Sequence, residues 1–458
     1  MSWVIWKRGP GKNTKTHSGQ NLTTVVHGGS LQLVRRGDTL MLTRRACIAG
    51  ASAAALAPLV AGNARDIAGD ANHEFDPSSP LPHKTAFSPF AGSYMNSASQ
   101  HPLSLGARDA INRYMDFKTF ANGNDHSVLA TYQRNLENYA RLINASKEEV
   151  CFVQSTTVGE NLVLKALNIP EAGGRIVTDE LHYVGSLPTY AEIAKQGMDV
   201  VTLRSSDGTI DMDEFERAVT PGTRLVTVSS VSMVNGFQHD LSQICEIAHA
   251  AGALVYADVV HQVGSTPIDV RESAVDFCSA ASYKWLMGEQ GLGFLYARKD
   301  RLAQIKRPWL GHYQLRRRRG FGFPNPEPGG KLTEYEHHDS ALGYFAMGSQ
   351  SNIVSALLDH SLPYLLRVGV ARIQAYRQPL IDRLQEELPR VGYPSITPRD
   401  SRTALVSFRH GGNTGELHNK LEVAGVTVSV AAHHIRISPS VFNDMDDVER
   451  LIHALSQA

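Results

Sequence analysis

The sequence predicts an α/β protein with two parts: a large domain built on a mostly parallel sheet, and a smaller α+β domain at the C-terminus. Short apolar runs alternate with helical patterns from about residue 150 to 298, and this alternation is typical of a parallel sheet with helices on both faces. Beyond about residue 300 the pattern changes to a segment rich in Arg, Gly and Pro, then to helices and short strands. The 458 residues are enough for two or three domains.

The predicted elements follow the chain in a regular order. Helical spacing of apolar residues predicts two helices before the first strand, over residues 102–120 and 128–143. Seven short apolar runs then predict strands at residues 150–153, 175–178, 199–203, 224–228, 253–256, 277–281 and 293–297. Further helices are predicted over residues 158–167, 187–196, 212–219, 241–250, 349–388 and 446–455. Three strands are predicted between the last two helices.

This pattern divides the chain into four segments. They are a leader, an N-terminal arm, a large α/β domain and a small C-terminal domain, over residues 1–70, 71–100, 101–330 and 331–458.

The leader contains an export-type signal that begins at Met41. Arg44 and Arg45 precede an alanine-rich apolar run over residues 49–61, and this order describes an export signal. The paired arginines make it resemble a twin-arginine (Tat) signal. The run is too short and too rich in alanine to span a bilayer stably, so we expect no stable membrane anchor. We expect Met41 to be the true start and the mature chain to begin near Arg65 in the periplasm or outside the cell. A cytoplasmic protein with a disordered tail is the alternative.

The charge of the chain argues against some partners. Lys+Arg and Asp+Glu each number 45, so the formal net charge is zero. A protein without a global basic field is not expected to bind nucleic acid or an anionic membrane. We interpret the basic run at residues 316–319 as a solvated loop. His337, His338 and Asp339 are consecutive, but no further ligand cluster accompanies them, so no metal site is predicted.

A carboxylate and a lysine carry the strongest chemical signal. Asp258 ends an apolar run and is expected at the carboxyl end of a buried strand, where open α/β sheets bind ligands. Lys284 lies among small and aromatic residues, where desolvation lowers the pKa of the amine and makes it a usable nucleophile. The two residues suggest a pyridoxal phosphate (PLP) site, with the lysine as Schiff base and the aspartate at the ring nitrogen. A helix-capping Asp and an unrelated surface Lys are the alternative.

The phosphate of such a cofactor needs N–H groups at a helix start and nearby hydroxyl groups. Residues 153–159 provide a strand end, a turn containing Ser155, Thr156 and Thr157, and a helix start. The same residues suit an ordinary N-cap, and both roles are compatible.

The segment from Phe152 to Val163 resembles the phosphate-binding turn of the class V aminotransferase family, which includes cysteine desulfurases and isopenicillin N epimerase-like proteins. Further landmarks follow in the family's order, so the resemblance covers about residues 90–455. It implies the aspartate-aminotransferase-like PLP fold type I, PLP as the cofactor, and a homodimer with a shared active site. A nucleotide-binding α/β protein is a weaker alternative, because no Gly-x-Gly-x-x-Gly turn follows the first strand.

The resemblance implies a set of contacts to the cofactor phosphate. Thr156, Thr157 and Ser282 match the family's phosphate ligands. Ser349 matches a residue that reaches the phosphate from the other subunit of a dimer.

The resemblance also implies the residues that surround the cofactor ring and the substrate. His182 matches the aromatic residue that stacks on the pyridine ring, and Asp258 matches the aspartate at the ring nitrogen. Lys284 matches the lysine that binds the cofactor. These three residues are the expected catalytic residues. Arg436 matches the arginine that holds the substrate carboxylate.

Two departures separate this sequence from the desulfurase pattern. Met233 stands where desulfurases have an asparagine that donates to the phenolic oxygen of the ring, and either Asn235 or His261 is expected to replace it. The stretch before Arg436 contains no cysteine, so no thiolate is expected to take sulfur from a substrate. On this ground the sequence predicts that the chain is not a cysteine desulfurase.

The expected function is PLP-dependent chemistry at Cα of an amino acid or of an amino-acid-bearing metabolite. Arg436 would bind the carboxylate and Lys284 would move the Cα proton. Aminotransferase or epimerase chemistry of the isopenicillin N epimerase-like type is the first expectation, and a C–S or other β-lyase is the second. The leader suggests a third, an exported enzyme that modifies a peptide siderophore side chain. A protein that binds PLP without catalysis is the alternative from another class.

Overall fold

The structure is a computed structural model that describes residues 76–87, 92–120, 127–320 and 333–457. It also describes the backbone of three short antiparallel strands nearer the N-terminus, β1 (Thr23–His27), β2 (Ser30–Arg35) and β3 (Asp38–Thr39). The predicted signal, residues 41–65, lies outside the described residues. The chain divides into two compact units, Met1–Glu74 and Phe75–Ala458, and the second holds all the elements that follow. The boundary proposed at residue 330 within the second unit stays a prediction.

The second unit begins with a short strand and two helices. They are β4 (Ser93–Tyr94), α1 (Leu105–Phe120) and α2 (Ser127–Leu142). Both helices confirm the sequence prediction. In α2 the buried residues Tyr132, Leu136 and Tyr139 recur at helical spacing, which gives this helix one apolar face. The Tyr139 ring stacks on Phe294 with 4.1 Å between the ring centroids, so α2 packs on the central sheet.

Seven strands between residues 150 and 297 form the central sheet. They are β5 (Val150–Val153), β6 (Arg175–Asp179), β7 (Asp199–Leu203), β8 (Thr223–Ser229), β9 (Leu254–Asp258), β10 (Phe277–Ala281) and β11 (Gly293–Ala297). Their order across the sheet is β5–β11–β10–β9–β8–β6–β7. Every neighbouring pair is parallel except the two pairs that involve β11. The predicted mostly parallel sheet is therefore confirmed.

Helices connect the parallel strands. They are α3 (Thr156–Ala166), α4 (Leu187–Lys195), α5 (Met212–Ala218) and α6 (Leu241–Ala250). Three of them begin at a side chain that caps the helix: Ser155 accepts the N–H of Val158, and Asp211 and Asp240 accept N–H groups in α5 and α6. Gly159 lets α3 approach β10, because a Cβ at this position would lie 2.7 Å from the Cβ of Ser279.

The C-terminal part contains helices and a small antiparallel sheet. Its elements are β12 (Leu315–Gly320), β13 (Thr333–His337), α7 (Ala341–Phe345), α8 (Asn352–Val368), α9 (Val370–Glu387), β14 (Val406–Arg409), α10 (Thr414–Val423), β15 (Val426–Thr427), β16 (Ser429–Val430), β17 (His434–Ile437) and α11 (Met445–Ser456). The strands β14, β17 and β16 pair antiparallel, whereas β15 pairs in parallel with β4 of the arm.

Two sequence predictions about this part need correction. The basic run at residues 316–319 is a strand and not a loop, because β12 pairs with β13 and Arg316 makes an ion pair of 2.7 Å with Glu336 across the hairpin. The helical segment over 349–388 is two helices, which meet at Gly369 with a φ of 84°. Within the described part of the chain, no single helix has the length and composition of a membrane span. Helix α8 and the segment Val370–Val391 meet at an angle of 74°. Taken together, these two segments do have the length and composition of a membrane span.

Candidate active site

The carboxyl ends of β8, β9 and β10 meet at one edge of the central sheet and place polar groups there. Asp258 ends β9 and is only 4% exposed, and one of its oxygens accepts the N–H of Val260 at 2.9 Å. Ser229 ends β8 and is the register partner of Asp258. Burial raises the pKa of Asp258, although the Val260 N–H and the nearby charges of His182 and Lys284 act in the opposite direction. Asp258 is therefore a carboxylate that needs positive neighbours to stay ionised.

Lys284 follows β10 and lies beside His261 in the interior. Its Nζ is 2.9 Å from Nε2 of His261. Burial lowers the pKa of Lys284 to about 8; the charge of Arg436 acts in the same direction and Asp258 opposes it. The pKa of His261 is well below its ordinary value, because of burial and then the positive charges of Lys284 and Arg436. A neutral His261 thus accepts a hydrogen bond from Lys284, whose amine loses its proton close to neutral pH.

Arg436 projects from β17 next to this pair. It alternates with the core residues Ile435 and Ile437, as expected for a strand with one apolar face. Its Nη1 donates to the carbonyl of Met233 at 3.1 Å, and its Nη2 donates to Oγ of Ser99 at 2.7 Å. Its Nε has no partner, and no carboxylate pairs with it among the described residues. A buried guanidinium of this kind lacks the carboxylate that would complete its bonding.

The first turn of α3 contains two of the predicted phosphate ligands, Thr156 and Thr157. Its leading N–H groups have no intrahelical acceptor and carry the positive end of the helix dipole, which favours an anion. Thr157 is exposed at this turn, whereas Oγ1 of Thr156 accepts the N–H of Ala281 at 3.0 Å and ties α3 to the end of β10. Ser282 is buried, and its hydroxyl donates to the carbonyl of Glu289 at 2.8 Å. In this structure the Ser282 hydroxyl is thus used within its own turn.

His182 lies in the turn after β6 and is fully buried. Its Nδ1 is 2.8 Å from Oγ of Ser229, and its Nε2 is 3.1 Å from Oε1 of Glu160. Sequence reasoning missed Glu160. The signal that could have found it is a glutamate on the buried face of α3, between Gly159 and the apolar residues that follow, because a buried carboxylate needs a partner.

Two of the predicted site residues, Asn235 and Ser349, have no side-chain contact with this cluster in the described part of the chain. Asn235 donates through Nδ2 to the carbonyl of Gly208 at 2.7 Å and accepts the N–H of Phe237 at 3.0 Å, so its amide holds a turn. Of the two residues considered for the phenolic oxygen, the structure therefore favours His261. Ser349 is exposed between α7 and α8. Its contact across a dimer stays a prediction.

The donors and acceptors of this site fit PLP. Lys284 is a buried amine with a lowered pKa, Asp258 has a carboxylate suited to a protonated ring nitrogen, and the start of α3 suits a phosphate. His261 keeps its Nδ1 without a partner, as Arg436 keeps its Nε. PLP, when bound, withdraws electrons from Cα of an amino acid. The chain itself would orient the substrate through Arg436 and hold or move the Cα proton at Nζ of Lys284.

The comparisons with known proteins define the class. The chain belongs to the aminotransferase class-V family, whose family model matches residues 110–451. It is a PLP-dependent protein of fold type I.

Several similar proteins are cysteine desulfurases or probable cysteine desulfurases. A probable cysteine desulfurase of Methanothermobacter thermautotrophicus is 27% identical over 358 residues, which cover 75% of this chain and 84% of the relative. A cysteine desulfurase of Haloferax volcanii is 26% identical over 425 residues, which cover 84% and 92%. Among solved structures, a cysteine desulfurase from Thermococcus onnurineus matches with a TM-score of 0.72 and 21% identity, over 83% of this chain and 98% of that chain.

These relatives overturn one sequence prediction. The exclusion of cysteine desulfurase was wrong, because the relatives that match most of this chain carry that name. The exclusion rested on the missing cysteine before Arg436. A thiol at that place would receive the sulfur, whereas a Cβ–S bond can also break by elimination after Cα loses its proton to the lysine, with sulfur leaving as an anion. The missing thiol therefore does not exclude cleavage of a C–S bond.

Proposed function

We propose that this protein is a PLP-dependent enzyme that breaks the C–S bond of cysteine or of a closely related amino acid. The names of the relatives favour this reaction over the transamination or epimerisation expected first from the sequence. The proposal keeps the substrate class expected from the sequence, an α-amino acid.

One observation supports the amino-acid substrate most directly. The guanidinium of Arg436, whose Nε has no partner, and the amine of Lys284 lie close enough for the charge of Arg436 to lower the pKa of Lys284. A carboxylate bound to Arg436 would complete the bonding of the guanidinium and place the neighbouring Cα near the amine. A fork of two charge-assisted hydrogen bonds would also fix the orientation of the substrate.

The pair of Lys284 and His261 is suited to the proton transfers that C–S cleavage requires. Lys284 in its neutral form accepts the Cα proton, and its pKa of about 8 keeps a usable fraction neutral near pH 7. When the Cβ–S bond breaks, sulfur leaves with the bonding electrons, a Cα–Cβ double bond forms, and the protonated Lys284 can return its proton to the sulfur. Hydrolysis of the released product then gives pyruvate and ammonia. His261, at 2.9 Å from Nζ, accepts a hydrogen bond from the lysine and keeps the lysine oriented during both transfers.

A substrate panel tests the proposal. The purified chain is loaded with PLP and incubated with L-cysteine, L-cystine, L-alanine and D-cysteine, and sulfide and organic products are measured with and without an added thiol. We expect sulfide, pyruvate and ammonia from L-cysteine, or cysteine persulfide, pyruvate and ammonia from L-cystine. Alanine is expected only with the added thiol, which takes the sulfur of L-cysteine as a persulfide. Release of sulfur in either thiol condition supports C–S cleavage and identifies the sulfur acceptor.

Other products would contradict C–S cleavage. A keto acid that still carries its sulfur would indicate transamination, and D-cysteine formed from L-cysteine would indicate epimerisation. Binding of PLP without turnover of any substrate would favour the non-catalytic alternative. The control is Cys245→Ala, which removes a buried thiol on α6 and is expected to leave all products unchanged.

Two further properties are part of the proposal. We propose that the chain is a homodimer whose subunits share the active site through Ser349. We also propose that the segment beginning at Met41 exports the folded chain. Sedimentation of the purified protein tests the first, and fractionation of cells that express the full chain or an Arg44→Lys/Arg45→Lys variant tests the second. A monomer that is fully active, or a variant located like the parent chain, would contradict them.

A further inference from the structure

A buried carboxylate, that of Glu160, lies at the edge of the His182 ring. Glu160 is 3% exposed and His182 is fully buried, and their closest atoms are 3.1 Å apart. The other ring nitrogen of His182 is 2.8 Å from Oγ of Ser229, which in turn accepts the N–H of Tyr183. Both ring nitrogens are therefore engaged by protein groups, and the imidazole has one fixed orientation.

The carboxylate of Glu160 is held by hydroxyl groups as well. Ser186 and Tyr190 each donate to it at 2.5 Å, and the Tyr190 hydroxyl is also 2.7 Å from Oγ1 of Thr227. Burial alone would raise the pKa of Glu160, but the hydrogen bond and charge of His182 and the two hydroxyl groups lower it overall. These donors identify Glu160 as the ionised member of the pair.

Several acidic groups face His182 from the elements around it. Glu160 approaches from α3, Asp179 from the end of β6, and Asp258 from the end of β9. Asp179 has its own partner, since its Oδ2 is 3.1 Å from Nε2 of His239. Burial alone would lower the pKa of His182, but Glu160 and then Asp258 and Asp179 raise it overall. The buried carboxylates thus favour a positive charge on His182.

The phenol groups around the pair stay neutral. Burial and the charge of Glu160 raise the pKa of Tyr190 and of Tyr256 well above the ordinary value. His182 is therefore the group whose positive charge would balance the negative charge of Glu160.

The position of His182 connects this pair to the cofactor aspartate. His182 is bound to Ser229, and Ser229 is the register partner of Asp258 on the neighbouring strand. Adjacent strands lie about 4.8 Å apart. The charges of His182 and Lys284 favour the ionised form of Asp258, whereas burial and the direct charge of Glu160 oppose it. Glu160 can therefore favour ionised Asp258 only through the charge that it maintains on His182.

We propose that Glu160 is a positioning residue: it holds His182 as a doubly protonated ring, and through this ring it keeps the carboxylate of Asp258 ionised. His182 then offers its face to the site while both of its N–H groups stay bound within the protein. This role of Glu160 concerns the PLP site and does not depend on which bond of the substrate the enzyme breaks.

Nitrogen-15 NMR of the PLP-loaded full chain with labelled histidine tests this proposal without an activity assay. The His182 signal is identified by its loss in His182→Gln. We expect two protonated ring nitrogens on His182 across the range of about pH 6 to 8, where a free histidine loses its charge. In Glu160→Gln the second proton is expected to be lost at a lower pH than in the parent chain, and PLP is expected to dissociate faster.

The matched control is Glu180→Gln, which removes a carboxylate near His182 in sequence that bonds instead to Ser205 and Arg204. This variant is expected to leave the His182 signal unchanged. A singly protonated His182 in the unaltered chain at neutral pH would overturn the proposal, and so would an unchanged signal in Glu160→Gln. If Glu160→Gln does not fold, Glu160→Asp is measured instead, because it keeps the negative charge. Loss of the second ring proton of His182 in Glu160→Asp would also overturn the proposal.

Discussion

Two turns at the same edge of the sheet each bury a histidine, and the two histidines have opposite electrostatics. His182 follows β6, lies against Glu160, and has a raised pKa. His261 follows β9, lies against Lys284, and has a pKa well below the ordinary value. Both rings are almost completely buried.

The difference teaches that the partner and not the burial decides the charge of a buried histidine. Burial lowers the pKa of both rings. On the side of α3 a carboxylate reverses this effect, whereas beside His261 the positive charges of Lys284 and then Arg436 add to it. One turn therefore favours a protonated histidine, and the other favours a neutral histidine next to the lysine. The following experiments break or sharpen this contrast.

Lys284→Ala removes the partner of His261 and has the largest expected effect. Turnover should fall by at least about 10²–10⁴-fold, the usual contribution of general acid–base catalysis. The visible absorption of bound PLP that borohydride abolishes should also disappear. Lys195→Ala, which changes an exposed lysine on α4, is the control and should behave like the parent chain. Full turnover in the Lys284 variant would refute the assignment of this lysine.

Arg436→Met removes one of the charges that distinguish the His261 side. Hydrogen bonds to charged groups contribute about 1.5–3 kcal/mol each, so kcat/KM for an amino acid should fall by about a hundredfold or more. The loss should be much smaller for a substrate analogue whose carboxylate is an amide. Arg409→Met, an exposed change on the neighbouring strand β14, is the control. Equal losses for acid and amide substrates would argue against a carboxylate at Arg436.

The pH dependence of cofactor attachment sharpens the contrast further. The amine of Lys284 reacts with PLP in its neutral form, and its pKa is about 8. The rate of attachment to the cofactor-free chain should therefore rise as the pH increases through about 8 and level off above it. In Arg436→Met the midpoint should move to higher pH, because one of the charges that lower this pKa is gone. Stopped-flow absorbance measures the midpoint, and a midpoint that moves down would contradict the account.

Gly159→Ala has the smallest expected effect and tests the position of α3. The added Cβ would lie 2.7 Å from Cβ and 2.8 Å from Oγ of Ser279, so α3 and its Glu160 must shift. Overpacking of this kind costs about 1–3 kcal/mol, from which the better helix propensity of Ala recovers up to about 1 kcal/mol. The midpoint of thermal unfolding should fall. Gly411→Ala, where no atom lies within 4 Å, should leave it unchanged, and an equal midpoint in both variants would refute the close approach.

The sequence was sufficient to predict much of the fold and the centre of the site. Short apolar runs predicted each strand of the parallel sheet, because a strand buried on both faces has no polar alternation. Asp258 was predictable as the carboxylate at the end of such a run. Lys284 was predictable as a buried amine because its small and aromatic neighbours are local in sequence, whereas Arg436 was expected only from the resemblance to the family, and its role stays a prediction.

Other parts depend on contacts between distant segments and were not predictable. Glu160 and His182 are 22 residues apart and meet only because α3 packs against the turn after β6. Asn235 was expected near the cofactor ring, but its amide is used by Gly208 and Phe237. The basic run at residues 316–319 was expected as a loop, because nothing in the run itself shows that Glu336 lies opposite.

The central claim is that this chain breaks a C–S bond, and one labelling experiment tests it most directly. The PLP-loaded chain is incubated with L-cysteine that carries carbon-13 at Cβ, and the label is followed by NMR, with Lys284→Ala as the inactive control. We expect the label to appear as the methyl group of alanine or pyruvate, because that carbon has lost its sulfur. A label that stays on a sulfur-bearing carbon, in a keto acid or in D-cysteine, would contradict the account.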